Sequence, residues 1–361
     1  MQQLTIFLFL VLFNCASALS QTNQAAYKVK QTLPSESILN YVGLPNLSVA
    51  DKAVFFNLVV DSALRRKGAD DVVLALKSAI LCDQYDFLAS EGKAARLRYH
   101  ARNIARVSAM CPKVIDAGLE AYGRKDYRRA LDCFTLYLER YNTSLFVGRK
   151  PEHDSYYNEC AFFAVQSAYK NGDKNVASRY MDRALQCSEY AEDAALVHVL
   201  LLRDNRRDWQ DSLHYVSVLT EAHQKYPSNN SFFSMLVEHY TSPANASKFK
   251  RFMEEEVALD KKSKEKWAML GELEMREKQW NRAIDAYKKA VVIDSAFVEV
   301  IYNIGICYYS KGELSQSAAY LEKCRQLDGE RAKVDWAQPL YTIYKELPDE
   351  QKARELLPMV K

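Results

Sequence analysis

The sequence predicts an all-α chain, a solenoid of antiparallel helix pairs, on three observations. One pattern occurs twice at a spacing of 34 residues: Trp267-x2-Leu270-Gly271 with Glu274, Ala283, Tyr287 and Ala290, then Ile301-x2-Ile304-Gly305 with Tyr308, Ser317, Leu321 and Cys324. Weaker copies of it cover most of the chain. Finally, the 361 residues include only 11 Gly and 9 Pro, with 48% hydrophobic and 12% aromatic residues, which leaves few helix breakers and ample apolar surface for a long packed core. Such a chain grows by adding units and need not divide into separate globules.

The pattern has a packing logic. Two helices approach most closely where both present small side chains, because the volume at the contact sets the axis separation. Gly271 with Ala283, and Gly305 with Ser317, suit that crossing. Trp267, Leu270 and Tyr287 fill the space beside it, and Ala290 leaves room for the first helix of the next unit. One hairpin cannot bury both of its faces, so the hairpins must stack.

These residues resemble the tetratricopeptide repeat (TPR), whose signature is W-x2-L-G-x2-Y, then A-x3-F and a proline. The repeat beginning near Trp267 departs from it at two slots, with Glu274 for the aromatic and Ser295 for the proline. The resemblance implies a right-handed superhelical solenoid and a role in binding other proteins.

In chain order, residues 1–20 read as an export signal. The ten-residue run Leu4 to Phe13 is too short to span a bilayer, and Ala16-Ser17-Ala18 is an A-x-A-like cleavage site. Export to a periplasm or cell envelope, with an outer-membrane association as a variant, is the expectation. Cys15 offers lipidation as an alternative, although Asn14 before it is not the small residue a lipobox needs. Residues 21–47 are polar, contain Pro34 and Pro45, and read as a tail or linker. Ser48-x-x-Asp51 resembles a capping box opening a helix through Ala53, Leu58 and Ala63. Gly68 and Asp70 end that helix, Val72 to Ile80 begins the next, and Lys93 to Arg106 reads as another, so 48–111 form irregular leading helical repeats.

TPR-like repeats then occupy 112–259. Ala117-Gly118-x2-Ala121 with Asp126-Tyr127-x2-Ala130-x3-Phe134 fits the frame, as do Ala161, Ala164, Ala168, Gly172-Asp173, Ala177, Met181 and Ala184. Ala130 and Ala177 are 47 residues apart rather than 34, which places an insertion near 142–154. It is either a plain surface loop or a loop carrying binding contacts. Weaker copies run from Val199 to Leu219, with Trp209, Ser212 and Val216 in the second-helix slots, and from Phe232 to Leu259. Pro243 and Asn245 mark a looser join. Residues 260–361 hold the well-formed repeats and C-terminal helices, the last copy reading Leu340, Tyr344, Ala353 and Leu357.

No catalytic string such as G-x-S-x-G, a Walker A loop or H-E-x-x-H occurs, and the six histidines are scattered. We therefore expect a non-catalytic protein with no cofactor and no metal site, for which a small-molecule substrate is a poor fit. Eight cysteines include no C-x-x-C pair, and most of the seven beyond Cys15 occupy core slots, where cysteine acts as a small hydrophobe. Asn46, Asn142, Asn229 and Asn245 head Asn-x-Ser strings, relevant only in a eukaryotic secretory pathway.

By the resemblance, first helices line a concave groove, and the repeat register gives its inward positions. They are Ile115, Leu119 and Tyr122; Phe162, Gln166 and Tyr169; Phe232, Leu236 and His239; Ala268, Glu272 and Met275; Tyr302, Ile306 and Tyr309. TPR modules that hold a C-terminal carboxylate use Lys and Asn there, and this chain lacks that clamp. An apolar or aromatic-rich peptide or a helix is the expected protein partner, unless these side chains pack on neighbouring repeats or on the segment 38–42. From Glu91 to Ala130 ten Lys or Arg face four Asp or Glu, and Arg98, Arg102 and Arg106 recur along one helix face. That stripe is either an ordinary solvated face or a contact for anionic lipid or an acidic protein. The net charge of +3 and the export signal speak against nucleic acid. A carbohydrate-binding TPR subunit of the SusD-like kind ranks lower, since those carry large insertions.

Overall fold

The computed structural model describes residues 47–66, 68–93, 97–242, 245–328 and 334–360. The export signal, Cys15, the tail through Asn46 and Pro243 lie outside them. Among the described residues the regular structure is helical and no strand occurs. None of these helices is long and apolar enough to cross a membrane. The chain forms two compact units, meeting in sequence between Phe232 and Phe233.

In the first unit α1 (Val49–Arg66) pairs with α2 (Ala69–Ala89), and α3 (His100–Ser108) lies on α2. Then α4 (Cys111–Gly123) pairs with α5 (Tyr127–Glu139), α6 (Tyr157–Asn171) with α7 (Lys174–Ala184), and α8 (Ala191–Asn205) with α9 (Trp209–Lys225). Contacts of α5 with α6 and of α7 with α8 stack one pair on the next. One apolar core runs from Val60 to Leu201, from the leading pair to α8, and a second cluster around Phe55, Phe56 and Leu74 lies within the leading pair. In the second unit α11 (Ala246–Leu259) meets α12 (Lys264–Arg276), which pairs with α13 (Trp280–Ile293). The pairs α14 (Val298–Ser310) with α15 (Leu314–Asp328) and α16 (Ala337–Glu346) with α17 (Glu350–Leu356) follow. Helix α10 (Asn230–Thr241) begins in the first unit and continues in the second.

Short polar side chains start many of these helices. The Ser48 hydroxyl accepts the Asp51 N–H at 3.1 Å and donates to the Asp51 carboxylate at 2.6 Å, so the expected cap is present. Asp126, Asp173, Asp208 and Asp349 accept the N–H three residues on, at the heads of α5, α7, α9 and α17. The turns within the pairs repeat one geometry. Asp126, Asp173, Gln279 and Glu313 donate their N–H groups five residues back, to Ala121, Ala168, Glu274 and Tyr308, and the residue before each is left-handed. Gly172 and Gly312 occupy that position in two turns, whereas Lys125 (φ 65°) and Lys278 (φ 59°) occupy it in the other two. A left-handed residue other than glycine costs roughly 1–2 kcal/mol, and the freedom of glycine in the unfolded chain takes back about 0.5–1. Lys278→Gly should therefore stabilise the protein by up to about 1 kcal/mol in urea unfolding; a loss of stability would contradict the shared turn geometry.

In three of the pairs, α4/α5, α12/α13 and α14/α15, the close approach is set by a glycine facing a large side chain. A Cβ on Gly118 would lie 2.6 Å from the Phe134 ring, one on Gly271 2.5 Å from the Tyr287 ring, and one on Gly305 2.9 Å from Leu321. The small residues on the second helices complete the contact. Ala283 is fully buried, and the Ser317 hydroxyl donates to the Gly305 carbonyl at 2.7 Å.

Four expectations need correction. Of the helix expected over 93–106, residues 94–96 lie outside the described residues, and 97–99 are not helical: the N–H groups of Arg98 and Tyr99 turn to the buried Asp86 carboxylate, and α3 starts at His100. The insertion near 142–154 is no plain surface loop. It forms three 3-10 turns and buries Leu145 and Phe146. On α9 the register is shifted: Trp209 is 69% exposed, while Tyr215, Leu219 and Ala222 hold the core. At the end of the chain Leu356, not Leu357, is buried, since the helix tightens into a 3-10 turn there.

All seven described cysteines are buried, as expected of small hydrophobes. Burial pushes the Cys82 thiol up to about 12 and those of Cys111 and Cys307 up to about 11, from an ordinary value of 9.0. The folded chain then keeps protons that the unfolded chain has shed, so stability is full below pH 9 and falls as pH rises toward 11–12. Iodoacetamide mapping should leave these seven thiols unmodified in the native protein and label all of them in denaturant. Rapid native labelling of Cys160 or Cys307 would refute the assigned packing.

Candidate functional site

The residues placed by register on the first-helix face divide into two groups. Ile115, Phe162, Phe232 and Leu236 are buried and unavailable to a ligand, which corrects their assignment to a groove. The reason is stacking: the Phe162 ring lies parallel to that of Tyr190 at 4.6 Å, and the Phe232 ring lies 6.3 Å from that of Tyr226. Leu119, Tyr122, Gln166, Tyr169 and His239 remain half-buried. Tyr122 meets the edges of Tyr127 and Phe163, with the Lys170 ammonium 5.4 Å from its ring, while Tyr169 donates to Asp204 at 3.0 Å. His239 stands edge to face with Tyr240.

In the second unit the register keeps a set of side chains at the surface. Ala268 and Met275 on α12, and Tyr302, Ile306 and Tyr309 on α14, are half-buried, and Glu272 is exposed. Most of them are anchored by their repeat. Tyr302 and Tyr309 pack on the core around Leu340, the Tyr309 hydroxyl donates to Glu346 at 3.1 Å, and the Met275 sulfur accepts from the Tyr287 hydroxyl at 3.7 Å. Glu272 pairs with Arg276 at 2.5 Å. This gives apolar and aromatic atoms in fixed positions with carboxylates beside them, an arrangement that can grip an extended chain or helix by its side chains.

The arginine stripe is not a free cationic face. Arg106 is largely buried and binds Asp61 at 2.5 Å and the Asn57 side chain at 2.6 Å. Arg102 reaches the same Asp61 at 3.0 Å, and Arg98 lies 3.6 Å from Asp86. The three tie α3 and the residues just before it to the leading pair, and each guanidinium has a carboxylate partner there, although Arg98 and Arg102 stay exposed. Beside them Asp83, fully buried, binds His100 Nδ1 at 2.7 Å and accepts from the Ser144 hydroxyl at 2.5 Å. A nucleophilic relay needs the serine on the imidazole; here both partners sit on the carboxylate, so the cluster serves to hold the insertion in place.

The insertion has its own anchor. Arg140 and Asp154 pair at 2.6 Å, both nearly inaccessible, and the guanidinium lies 3.6 Å from the Tyr137 ring and 4.2 Å from that of Tyr141. Both hydroxyls also donate to Asp154, at 3.0 and 3.1 Å. Burial, foremost, pushes the Tyr141 hydroxyl up to about 12.

The TPR repeat family model matches residues 271–312, which run from the glycine of α12 through α13 and α14 to the turn after α14. That segment carries a tetratricopeptide repeat. Three solved structures show how distant the similar TPR proteins are. The MamA 41-end structure from Desulfovibrio magneticus RS-1 shares 16% identity, with 48% of this chain and 96% of that one covered and a TM-score of 0.34. The TPR2AB domain of yeast Sti1 in a pHSP90 complex shares 12%, with 66% and 98% covered and a TM-score of 0.29. A STAND signal-transduction ATPase with a tetratricopeptide repeat sensor, from Pyrococcus horikoshii, shares 12%, with 86% and 52% covered and a TM-score of 0.38. No curated protein matches.

Just before the matched segment lies one feature without a counterpart in the sequence reading. Trp267, expected to fill space between helices, is half-exposed; its indole N–H donates to the Lys261 carbonyl at 3.1 Å, and the Lys289 ammonium sits 4.1 Å from the ring centre. The exposed Val292 and Ile293 on α13 were its signal, since two consecutive apolar residues at a TPR helix end cannot both face the core.

Proposed function

We propose that this chain is an exported, non-catalytic interaction scaffold whose second unit holds a peptide or protein segment of apolar or aromatic character on its first-helix face. The observation that carries this reading is the placement of Met275 on α12 with Tyr302, Ile306 and Tyr309 on α14, all half-buried, with Met275, Tyr302 and Tyr309 fixed from behind. Removing two such tyrosines takes away contact area that a bound segment would cover, and buried aromatic anchors commonly dominate binding energy. The export signal read in 1–20 supports an envelope or extracellular setting.

The test is crosslinked affinity capture from the native cell envelope with the wild-type chain and with Tyr302→Ala/Tyr309→Ala. The variant should keep its helical circular dichroism and recover the partner at least about tenfold less well. Equal recovery by a folded variant would reject the first-helix face as the binding surface.

A further inference from the structure

A second surface, distinct from the first-helix face, lies in the same unit. Helices α11 and α13 flank the start of α12, and between them runs an open groove of about 750 Å³. Val257 and Trp267 form its floor, and Val292, 86% exposed, and Ile293 form one lip. Apolar residues at the end of a surface helix ordinarily turn inward; here they border a groove that is wide enough for the side chains of one helical turn.

The rim decides what fits. Lys261, Lys288 and Lys289 border the groove with Glu254 as their one acidic neighbour in the lining. Two of these ammonium groups are held in place by neutral partners: Lys288 donates to the Tyr308 hydroxyl at 2.9 Å, and Lys289 rests on the Trp267 ring. Neither forms a salt bridge among the described residues. An apolar trough with a net positive rim is complementary to a segment that places large apolar side chains beside carboxylates. The chain's own residues 21–46 do not meet that description, since they carry Lys28 and Lys30 against Glu36 alone.

We propose that the Trp267–Val292 groove is a docking site for an acidic amphipathic helix of a partner protein, its apolar side chains set against Val257, Trp267 and Val292 and its carboxylates against Lys261, Lys288 and Lys289. The site is independent of the first-helix face, so the two readings succeed or fail separately.

The test is a display library of short amphipathic-helix peptides, varied in charge, panned on the full chain. All three positions are exposed, so Val292→Glu and Lys261→Glu/Lys289→Glu should fold as the wild type does. Acidic peptides should be enriched, lose about tenfold or more in affinity to either variant, weaken with added salt, and be unaffected by Tyr302→Ala/Tyr309→Ala. Enrichment without charge preference, no enrichment, or peptides that respond to the tyrosine variant and not to Val292→Glu would each overturn the proposal. So would self-association in sedimentation that Val292→Glu abolishes, which assigns the groove to a second copy. Binding of phosphatidylserine vesicles that Lys261→Glu/Lys289→Glu abolishes, without peptide enrichment, would assign it to a lipid surface.

Discussion

Asp154→Ala should destabilise the protein by about 3–5 kcal/mol, because it leaves the buried Arg140 guanidinium without its counter-charge. The Asp154 carboxylate accepts from Arg140 at 2.6 Å, from the Tyr137 and Tyr141 hydroxyls at 3.0 and 3.1 Å, and from the Tyr156 N–H at 3.1 Å. Removing it takes the acceptor from four donors at once, one of them charged and buried. The guanidinium cannot swing into water, since it is enclosed by the rings of Tyr137 and Tyr141 and also donates to the Tyr137 carbonyl. Asp154→Asn keeps shape and some hydrogen bonds while losing charge, so its effect should be smaller. Arg140→Met with Asp154→Leu removes both charges and should lie closest to the wild type. Urea unfolding followed by circular dichroism reads all three, and a loss below about 1 kcal/mol for Asp154→Ala would show that the pair is not buried in solution.

Gly271→Ala should cost about 1–3 kcal/mol, against the usual sign for this substitution in a helix. Alanine is the better helix former by about 0.8–1.0 kcal/mol, so an unhindered site would gain stability. At Gly271 the added carbon falls 2.5 Å from two atoms of the Tyr287 ring, and that ring is buried on every side. Either the helices of the pair separate or the tyrosine leaves its rotamer. Gly123→Ala provides the contrast, because nothing lies within 4 Å of a Cβ there; it should be neutral or stabilising. Combining Gly271→Ala with Tyr287→Leu should recover part of the loss, since the smaller side chain gives the methyl room. If both glycine variants behaved alike in thermal unfolding, the close approach would not be what fixes glycine in α12.

Much of the fold was legible because its determinants are close in sequence. Gly118 with Phe134, Gly271 with Tyr287 and Gly305 with Leu321 each lie 16 residues apart, within one hairpin, and periodic sequence reports such pairs. The insertion was legible only as extra length, since its 3-10 turns have no period and the side chain that receives Ser144, Asp83, lies far upstream. The arginine stripe misled for a related reason: the spacing of Arg98, Arg102 and Arg106 shows one helix face, while the carboxylates of Asp61 and Asp86 that face it belong to other helices. The first-helix register located Tyr302 and Tyr309 at the surface but could not tell them from Phe162 and Phe232, which stack on side chains outside the repeat slots.

The insertion also changes how force and heat travel through the first unit. In an ordinary helical array each pair leans only on its neighbours, and the array melts from its ends like a zipper. Here the loop after α5 reaches back past α4 to touch both α2 and α3. That backward reach stitches non-adjacent turns together, so the leading helices should exchange their amide hydrogens with one shared rate, as a knot that opens all at once, while the C-terminal pair frays by itself.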